Sequence, residues 1–144
     1  MRAFIAAPFT SRHFNRRLDE GYINFLDSIE AVVKESGIEP FNATKELHKY
    51  EEHIDAIEHN LKVLEELKKS DILIAYPAES RGVCIDLGIA SMLKKKIIVL
   101  LHEDEKVSES IEGLSAYTTT YMIKFKDIFG LKSQLKEALE KVKV

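Results

Sequence analysis

Short apolar runs alternate with segments of helical periodicity along the chain. Most of the runs are apolar at nearly every position, which is typical of parallel strands buried on both faces, and the last one alternates like a strand nearer an edge. The predicted strands are Ala3–Ala7, Ile38–Phe41, Asp71–Tyr76, Ile97–Leu101 and Thr120–Phe125. The predicted helices are Asn15 to about Ser36, Glu51–Lys69, Val83–Lys95 and Asp127 to about Lys143.

The predicted helix Glu51–Lys69 is rich in charged residues and has one apolar stripe. Such a stripe is typical of a helix that packs with one face on a sheet. The residues of the stripe are Ile54, Ile57, Leu61, Leu64 and Leu67.

Strands that alternate with helices predict an α/β fold. We expect one doubly wound, five-stranded parallel sheet of the flavodoxin or Rossmann-like type, in the order 2-1-3-4-5, with helices on both faces. In such sheets the ligand crevice lies beyond the carboxyl ends of the strands, at the switch point between strands one and three. The loops that matter most are therefore Pro8–Asn15 and Pro77–Gly82.

Composition adds only a few constraints on the fold class and the possible functions. The 144 residues suit a single domain spanning 1–144, and the net charge of −3 gives no reason to expect binding to nucleic acid or to a membrane surface. The one cysteine, Cys84, excludes an internal disulfide framework and a multi-cysteine metal site. No apolar run approaches the ~20 residues of a membrane span, and we expect a cytoplasmic protein.

The first crevice loop is rich in anion-binding groups. Ser11 and Arg12 stand beside a predicted helix start, where hydroxyls, backbone N–H groups and a guanidinium can together hold an anion. The glycines of a Walker loop are missing. A capped helix start with a solvated basic first turn is the alternative interpretation. Phe9 could stack on a base or pack in the core.

The second crevice loop leads into a predicted helix start at Ser80, Arg81 and Gly82. Serine is a good helix cap, glycine lets a ligand approach the backbone, and the helix dipole with Arg81 would favour a phosphate. Asp86 follows four residues after Gly82 among apolar neighbours. Its carboxylate is either on an exposed face or directed into the crevice as a functional group.

The segment Ser70–Leu101 resembles the signature region of the nucleoside 2-deoxyribosyltransferase superfamily, and above all its 2′-deoxynucleoside 5′-monophosphate N-glycosidase branch. The resemblance rests on Ser70-Asp71, Ser80-Arg81-Gly82 and Asp86-Leu87-Gly88, and the opening FIAAPFTS is similar to the family's first strand and substrate loop.

The resemblance implies hydrolysis of the N-glycosidic bond of a nucleoside 5′-monophosphate to a free base and a sugar 5-phosphate. Asp86 would be the nucleophile at C1′, and Ser80 and Gly82 would meet the phosphate. Arg81, Ser11 and Arg12 are candidates for the same anion. The family also implies a homodimer, with a serine of the neighbouring subunit near the phosphate, for which Ser108 is the first candidate and Ser110 the second. No metal or organic cofactor is implied.

The chain departs from the family pattern at two points. The usual nucleophile is glutamate, and Asp86 is one methylene shorter. The second carboxylate, expected eight residues before Asp71, falls on Val63. His59, Asp55 and His13 remain candidates for the group that protonates the leaving base. Transfer of deoxyribose between bases, and a nucleotide-binding module without catalysis, are the alternative functions.

Overall fold

The computed structural model describes residues 1–9, 13–14, 17–48 and 55–144. Its strands are β1 Arg2–Ala6, β2 His13–Phe14, β3 Arg17–Leu18, β4 Glu39–Asn42, β5 Ile72–Ala75, β6 Lys96–His102 and β7 Thr120–Phe125. Its helices are α1 Glu20–Glu35, α2 Ala43–His48, α3 Ala56–Lys69, α4 Arg81–Met92, α5 Glu109–Glu112 and α6 Ile128–Val142, with a 3₁₀ turn at Leu114–Ala116.

Five strands form one parallel sheet in the order β4-β1-β5-β6-β7. Counted among these strands along the chain, this is the predicted order 2-1-3-4-5, so the predicted fold class is confirmed. In the register, Ile5 of β1 stands opposite Asn42 of β4 and opposite Ile74 of β5. The three strands therefore end at nearly the same level, which brings the segments that follow them to one edge of the sheet.

The sheet is covered by helices on both faces. Ile5, Ile74 and Ile98 point into a core shared with α1 and α6. The alternate residues Phe4 and Leu73 point into a second core, shared mainly with α3 and α4. Burial on both faces explains why the strands read as continuous apolar runs.

The first helix begins later than predicted. The Asp19 carboxylate accepts a hydrogen bond from the Tyr22 N–H at 3.2 Å and caps α1, which starts at Glu20. Before it, β2 and β3 form a small antiparallel ribbon. The predicted start at Asn15 is therefore wrong. The apolar periodicity extends back beyond Asp19, but the Asp19 cap makes the helix begin at Glu20.

The predicted helix Glu51–Lys69 is also revised. The structure has the unpredicted short α2 and begins α3 at Ala56, while residues 49–54, including Ile54 of the stripe, lie outside the described residues. The stripe is wrong for Ile57 and Leu61, which are exposed, whereas Val63 and Leu67 are buried. The prediction of the stripe is confirmed for Leu67 at the end of the helix, but it missed Val63, because apolar residues occupy two faces of α3.

The amino ends of the strands are tied together by Arg2. Its backbone N–H donates to the Asp71 carboxylate at 2.8 Å, and its guanidinium pairs with Glu66 and lies 5.0 Å from the Phe41 ring centroid. The opposite end of the sheet is left open for a site. Among the helices of the described residues, none combines the length and the apolar character that crossing a membrane requires.

Candidate functional site

A cleft of about 670 Å³ opens at the carboxyl ends of β1, β4 and β5. Ala6, Ala7 and Phe9, at and beyond the end of β1, form one part of its lining. The starts of α2, α3 and α4 provide the rest. The cleft therefore includes the predicted switch point between the first and third strands of the sheet and extends across to α2.

A tight turn sets the start of α4 against this cleft. Ala78 and Glu79 both have positive φ, at 36° and 65°, and the Ser80 N–H donates to the Pro77 carbonyl at 2.6 Å. Two consecutive positive φ angles closed by such a bond are the pattern of a type I′ turn. Neither residue is a glycine, so the turn carries a backbone strain of about 1–3 kcal/mol per residue.

The first turn of α4 offers an anion-binding surface. The Ser80 hydroxyl accepts a hydrogen bond from the Val83 N–H at 3.3 Å and so caps the helix. A Cβ on Gly82 would meet only that hydroxyl, at 3.7 Å, so glycine leaves room for a ligand to reach the backbone. Arg81 is exposed and lines the cleft. A helix start with an adjacent arginine favours a phosphate or carboxylate.

Asp86 lies in the second turn of α4 and lines the same cleft. The residue is half-buried, and burial raises the pKa of its carboxyl group to about 7. Within the described residues no hydrogen bond or ion pair to this carboxylate is found, so nothing there offsets the loss of water. A carboxyl group poised near neutrality can act as a nucleophile or as a proton carrier.

Helix α3 forms the opposite wall, with His59, Asn60 and Val63. Asp55, in contrast, caps the helix, because its carboxylate accepts hydrogen bonds from the Ile57 and Glu58 N–H groups at 3.1 Å each. The side chain of Asp55 is thus already engaged with the backbone, and His59 is the titratable group that this wall presents to the cleft.

The structure gathers six of the nine predicted site residues in this one cleft: Phe9, His59, Ser80, Arg81, Gly82 and Asp86. Ser11 and Arg12 lie outside the described residues. Ser108 caps α5, with its hydroxyl 3.3 Å from the Ile111 N–H, and lines a smaller cleft of about 320 Å³ that shares Ser80 and Arg81 with the first.

Two further residues of interest are Tyr76, which follows β5, and His13, a candidate proton donor. The Tyr76 ring lies 5.1 Å from Phe25 and 6.3 Å from Phe125, so it packs within an aromatic cluster and does not line the cleft. The backbone of His13 belongs to the ribbon strand β2.

Sequence reasoning missed the contribution of α2, whose Ala43 and Thr44 line the cleft, and that of Glu79 and Ile85. A usable signal was Asn42, a good helix cap placed directly after a buried strand. Six residues of helix are too few to show a period. No group of three or more potential metal ligands occurs within residues 1–9, 13–14, 17–48 and 55–144.

No model of a protein family matches the sequence, and no curated protein does. Solved structures do match. The CMP N-glycosidase BcmB of Clostridium botulinum is similar at a TM-score of 0.76 and 24% identity, over 96% of this chain and 99% of that one. BlsM is similar at a TM-score of 0.82 and 24% identity, over 98% and 90% of the two chains.

A 2-deoxyribosyltransferase of Bacillus psychrosaccharolyticus is similar at a TM-score of 0.62 and 18% identity, over 94% of this chain and 96% of that one. Structures that are only 18% to 24% identical in sequence to this chain show which fold the chain has. The chain has the fold of these glycosidase and deoxyribosyltransferase structures, so the resemblance noted in the sequence extends to the architecture of the chain.

Proposed function

We propose that the protein hydrolyses the N-glycosidic bond of nucleoside 5′-monophosphates, releasing a free base and a sugar 5-phosphate. The observation that carries the proposal is the pairing of Asp86 with the start of α4 in one cleft. Gly82 and Asp86 are four residues apart, which is about 6 Å along a helix. This separation suits a nucleotide whose phosphate binds at the helix start and whose sugar lies beside the carboxylate.

The phosphate end would be held by the Ser80 hydroxyl, the backbone beside Gly82 and the Arg81 guanidinium. Ser11 and Arg12, in the loop after β1, are proposed to add further contacts, and Phe9 to pack against the sugar or base. Binding energy from the phosphate is remote from the bond that breaks, so it can be used to orient the sugar. BcmB, which has the same fold, is an N-glycosidase of such a monophosphate, CMP.

At the sugar, ionised Asp86 would attack C1′ as the bond to the base breaks, giving a glycosyl ester on Asp86. The departing base takes a proton, for which His59 is the proposed donor. Water then attacks the ester, releases the sugar 5-phosphate and restores the carboxylate. A pKa of about 7 keeps a substantial fraction of Asp86 ionised near neutral pH.

The test is to incubate the protein with a panel of ribo- and deoxyribonucleoside 5′-monophosphates and to measure free base by chromatography. We expect release of base, and at least a hundredfold loss in Asp86→Asn, because the amide cannot attack C1′. Asp127→Asn, at the exposed start of α6, is the matched control and should retain activity. Unchanged release by Asp86→Asn would overturn the assignment of the nucleophile.

Binding of a nucleotide without catalysis is the second candidate function, and Val63 favours it. Val63 lines the cleft at the position where the family pattern places a second carboxylate. Calorimetry that shows nucleotide binding with no base release over long incubation would support this alternative. Activity that appears in Asp86→Glu would show instead that only the reach of the nucleophile is lost. Transfer would be revealed by a new nucleoside when a second base is added.

We further propose that the protein acts as a homodimer. The support is an apolar surface on adjacent helices, formed by Ile57 and Leu61 of α3 and by Ile85 and Met92 of α4, each between 61% and 80% exposed. Ile85 also lines the cleft, so a second copy seated here would border the site. In such a dimer Ser108 of the partner subunit would be available near the phosphate.

A further inference from the structure

Thr44 is a buried residue whose hydroxyl lies in the wall of the cleft. The residue is in the first turn of α2, is only 2% exposed, and lines the cleft on the far side from α4. No hydrogen bond of the Thr44 hydroxyl is found within the described part of the chain. The hydroxyl is also not among the fully buried side-chain atoms that lack a partner, so it remains accessible from the cleft, where it can bind a ligand.

A buried polar network holds this turn in place. Asn42, the last residue of β4, accepts a hydrogen bond from the Lys45 N–H at 3.4 Å and so caps α2. The Asn42 amide in turn donates to the Glu30 carboxylate at 3.3 Å. Glu30 is also paired with Lys34 and Lys45, at 3.1 and 3.4 Å.

The charge on Glu30 is stable in this network. Burial would raise the pKa of Glu30, but hydrogen bonds from Lys34 and Asn42 and the nearby charge of Lys45 outweigh it, so the pKa lies below its usual value. Glu30 therefore stays ionised at neutral pH, and Asn42 keeps its acceptor. The position of Thr44 is fixed before any ligand arrives.

The sheet gives the distance from Thr44 to the phosphate site. Strand β4, which leads into α2, is two strands away from β5, which leads into α4. Neighbouring strands are about 4.8 Å apart, so the two walls are separated by roughly 10 Å. That span is comparable to the length of a nucleoside monophosphate from its phosphate to the edge of its base.

We propose that Thr44 is a specificity-determining residue that hydrogen-bonds the edge of the nucleobase, and that Glu30 and Asn42 are positioning residues for it. The inference rests on the proposed function, since it takes the phosphate to lie at the start of α4. A hydroxyl is both donor and acceptor, so it can pair with a ring nitrogen, a carbonyl or an amino group of a base. The preference for one base over another then depends on the groups that stand beside the hydrogen-bonded atom on the base.

The experiment compares ligands with and without a base. Binding of the four common ribonucleoside 5′-monophosphates and of ribose 5-phosphate is measured by calorimetry, in the Asp86→Asn background so that no ligand is consumed. Thr44→Val keeps the shape and removes the hydroxyl. We expect its Kd for the preferred nucleotide to rise roughly tenfold, with the Kd for ribose 5-phosphate unchanged within about twofold. Thr44→Ser, which restores the hydroxyl, should recover most of the loss.

The positioning residues are tested in the same way. Asn42→Ala should weaken binding of the preferred nucleotide more than binding of ribose 5-phosphate. If Asn42 had a purely structural role, the substitution would weaken binding of both ligands alike. Equal weakening of both ligands by Thr44→Val, or no weakening, would overturn the inference. Nucleotide binding with the expected Thr44 pattern but no base release from the wild-type protein would overturn hydrolysis alone. Failure of the wild-type protein to bind any nucleotide would overturn both.

Discussion

Asp86 is the proposed nucleophile, and its burial links the chemistry of the site to the stability of the fold. A half-buried carboxyl group with a pKa near 7 prefers to be protonated in the folded protein, whereas in the unfolded chain it ionises at its ordinary value of 3.8. Between these two values the folded state holds a proton that the unfolded state has lost. The free energy of unfolding due to this group therefore falls as pH rises from about 4 to 7, and the reduction is complete above that range.

This pH dependence yields a prediction. Asp86→Asn removes the cost of the buried charge, so we expect the variant to be more stable than the wild-type protein at pH 8, with a difference that shrinks towards pH 4. Urea unfolding at several pH values measures it. Asp127→Asn, at an exposed cap, serves as the control for a neutral amide at an aspartate position. A gain in stability that is equal at pH 4 and pH 8 would contradict the burial of Asp86.

Among the elements, helix starts do most to build the cleft. Asp55 and Asp127 cap α3 and α6 in the same manner, but only α3 brings residues to the cleft. The two aspartates form a natural matched pair. Both stabilise a helix through backbone N–H groups, and only one of the two helices carries His59 and Asn60.

We expect Asp55→Ala and Asp127→Ala each to lower the free energy of unfolding by about 1 kcal/mol. Asp55→Ala should also reduce kcat/KM for base release, because fraying of the first turn of α3 displaces His59. Asp127→Ala should leave kcat/KM unchanged. Chemical denaturation and initial rates give the two quantities. Equal effects on activity would show that stability alone, and not the position of α3, controls the rate.

The elements also show what the sequence could and could not predict. Buried parallel strands are apolar throughout, so β1, β5 and β6 were predicted to within about one residue at each end, and β7 was located by its alternating pattern. Helix α2 was missed because six residues show no period. The inward face of α3 was predicted correctly at Leu67 but not at Leu61, because apolar residues stand on both sides of the helix and only the packed structure distinguishes Val63 from Leu61.

For the site, strand order alone predicted the loop before α4, because ligands bind beyond the carboxyl ends at a switch point. Ser80 and Arg81 were predicted in this way, whereas the role predicted for Asp86 came from the resemblance to the family. Thr44 could not be predicted as a site residue, because its proposed role depends on burial and on a hydrogen-bond network that includes Glu30. Glu30 is 14 positions away in the sequence. Such side-chain pairings depend on the way helices pack and have no local sequence signature.

At the scale of the whole molecule, one face of the sheet carries helices with an exposed apolar surface. Helix α4 is apolar around most of its circumference and buries only part of that surface. A helix of this kind in a globular protein is usually covered on all sides. The uncovered part of α4, together with Ile57 and Leu61 of α3, is the surface that we propose for the second copy.

The proposed dimer can be tested with two residues of equal exposure. Met92 on α4 and Phe129 on α6 are each 80% exposed. A buried charge at the proposed interface would be costly, so Met92→Glu should convert dimers to monomers. Phe129→Glu, on the other face of the sheet, should leave the dimer intact. Light scattering after gel filtration measures the mass. A monomeric wild-type protein, or dimers that persist in Met92→Glu, would contradict the proposal.

The central position of β1 has a consequence for how the chain folds during synthesis. The Arg2 N–H donates a hydrogen bond to the carboxylate of Asp71, which is 69 residues further along the chain. Strand β1 is synthesised first, so it cannot pair with β5 until that part of the chain has been made. At roughly 5–20 residues per second, that interval is about 3–14 s. Throughout it, the edge of β1 that faces β5 remains unpaired, although β4 can already pair with the other edge, and contacts so distant in sequence slow folding. The strand that leads into the cleft is thus also the one most exposed to misassembly.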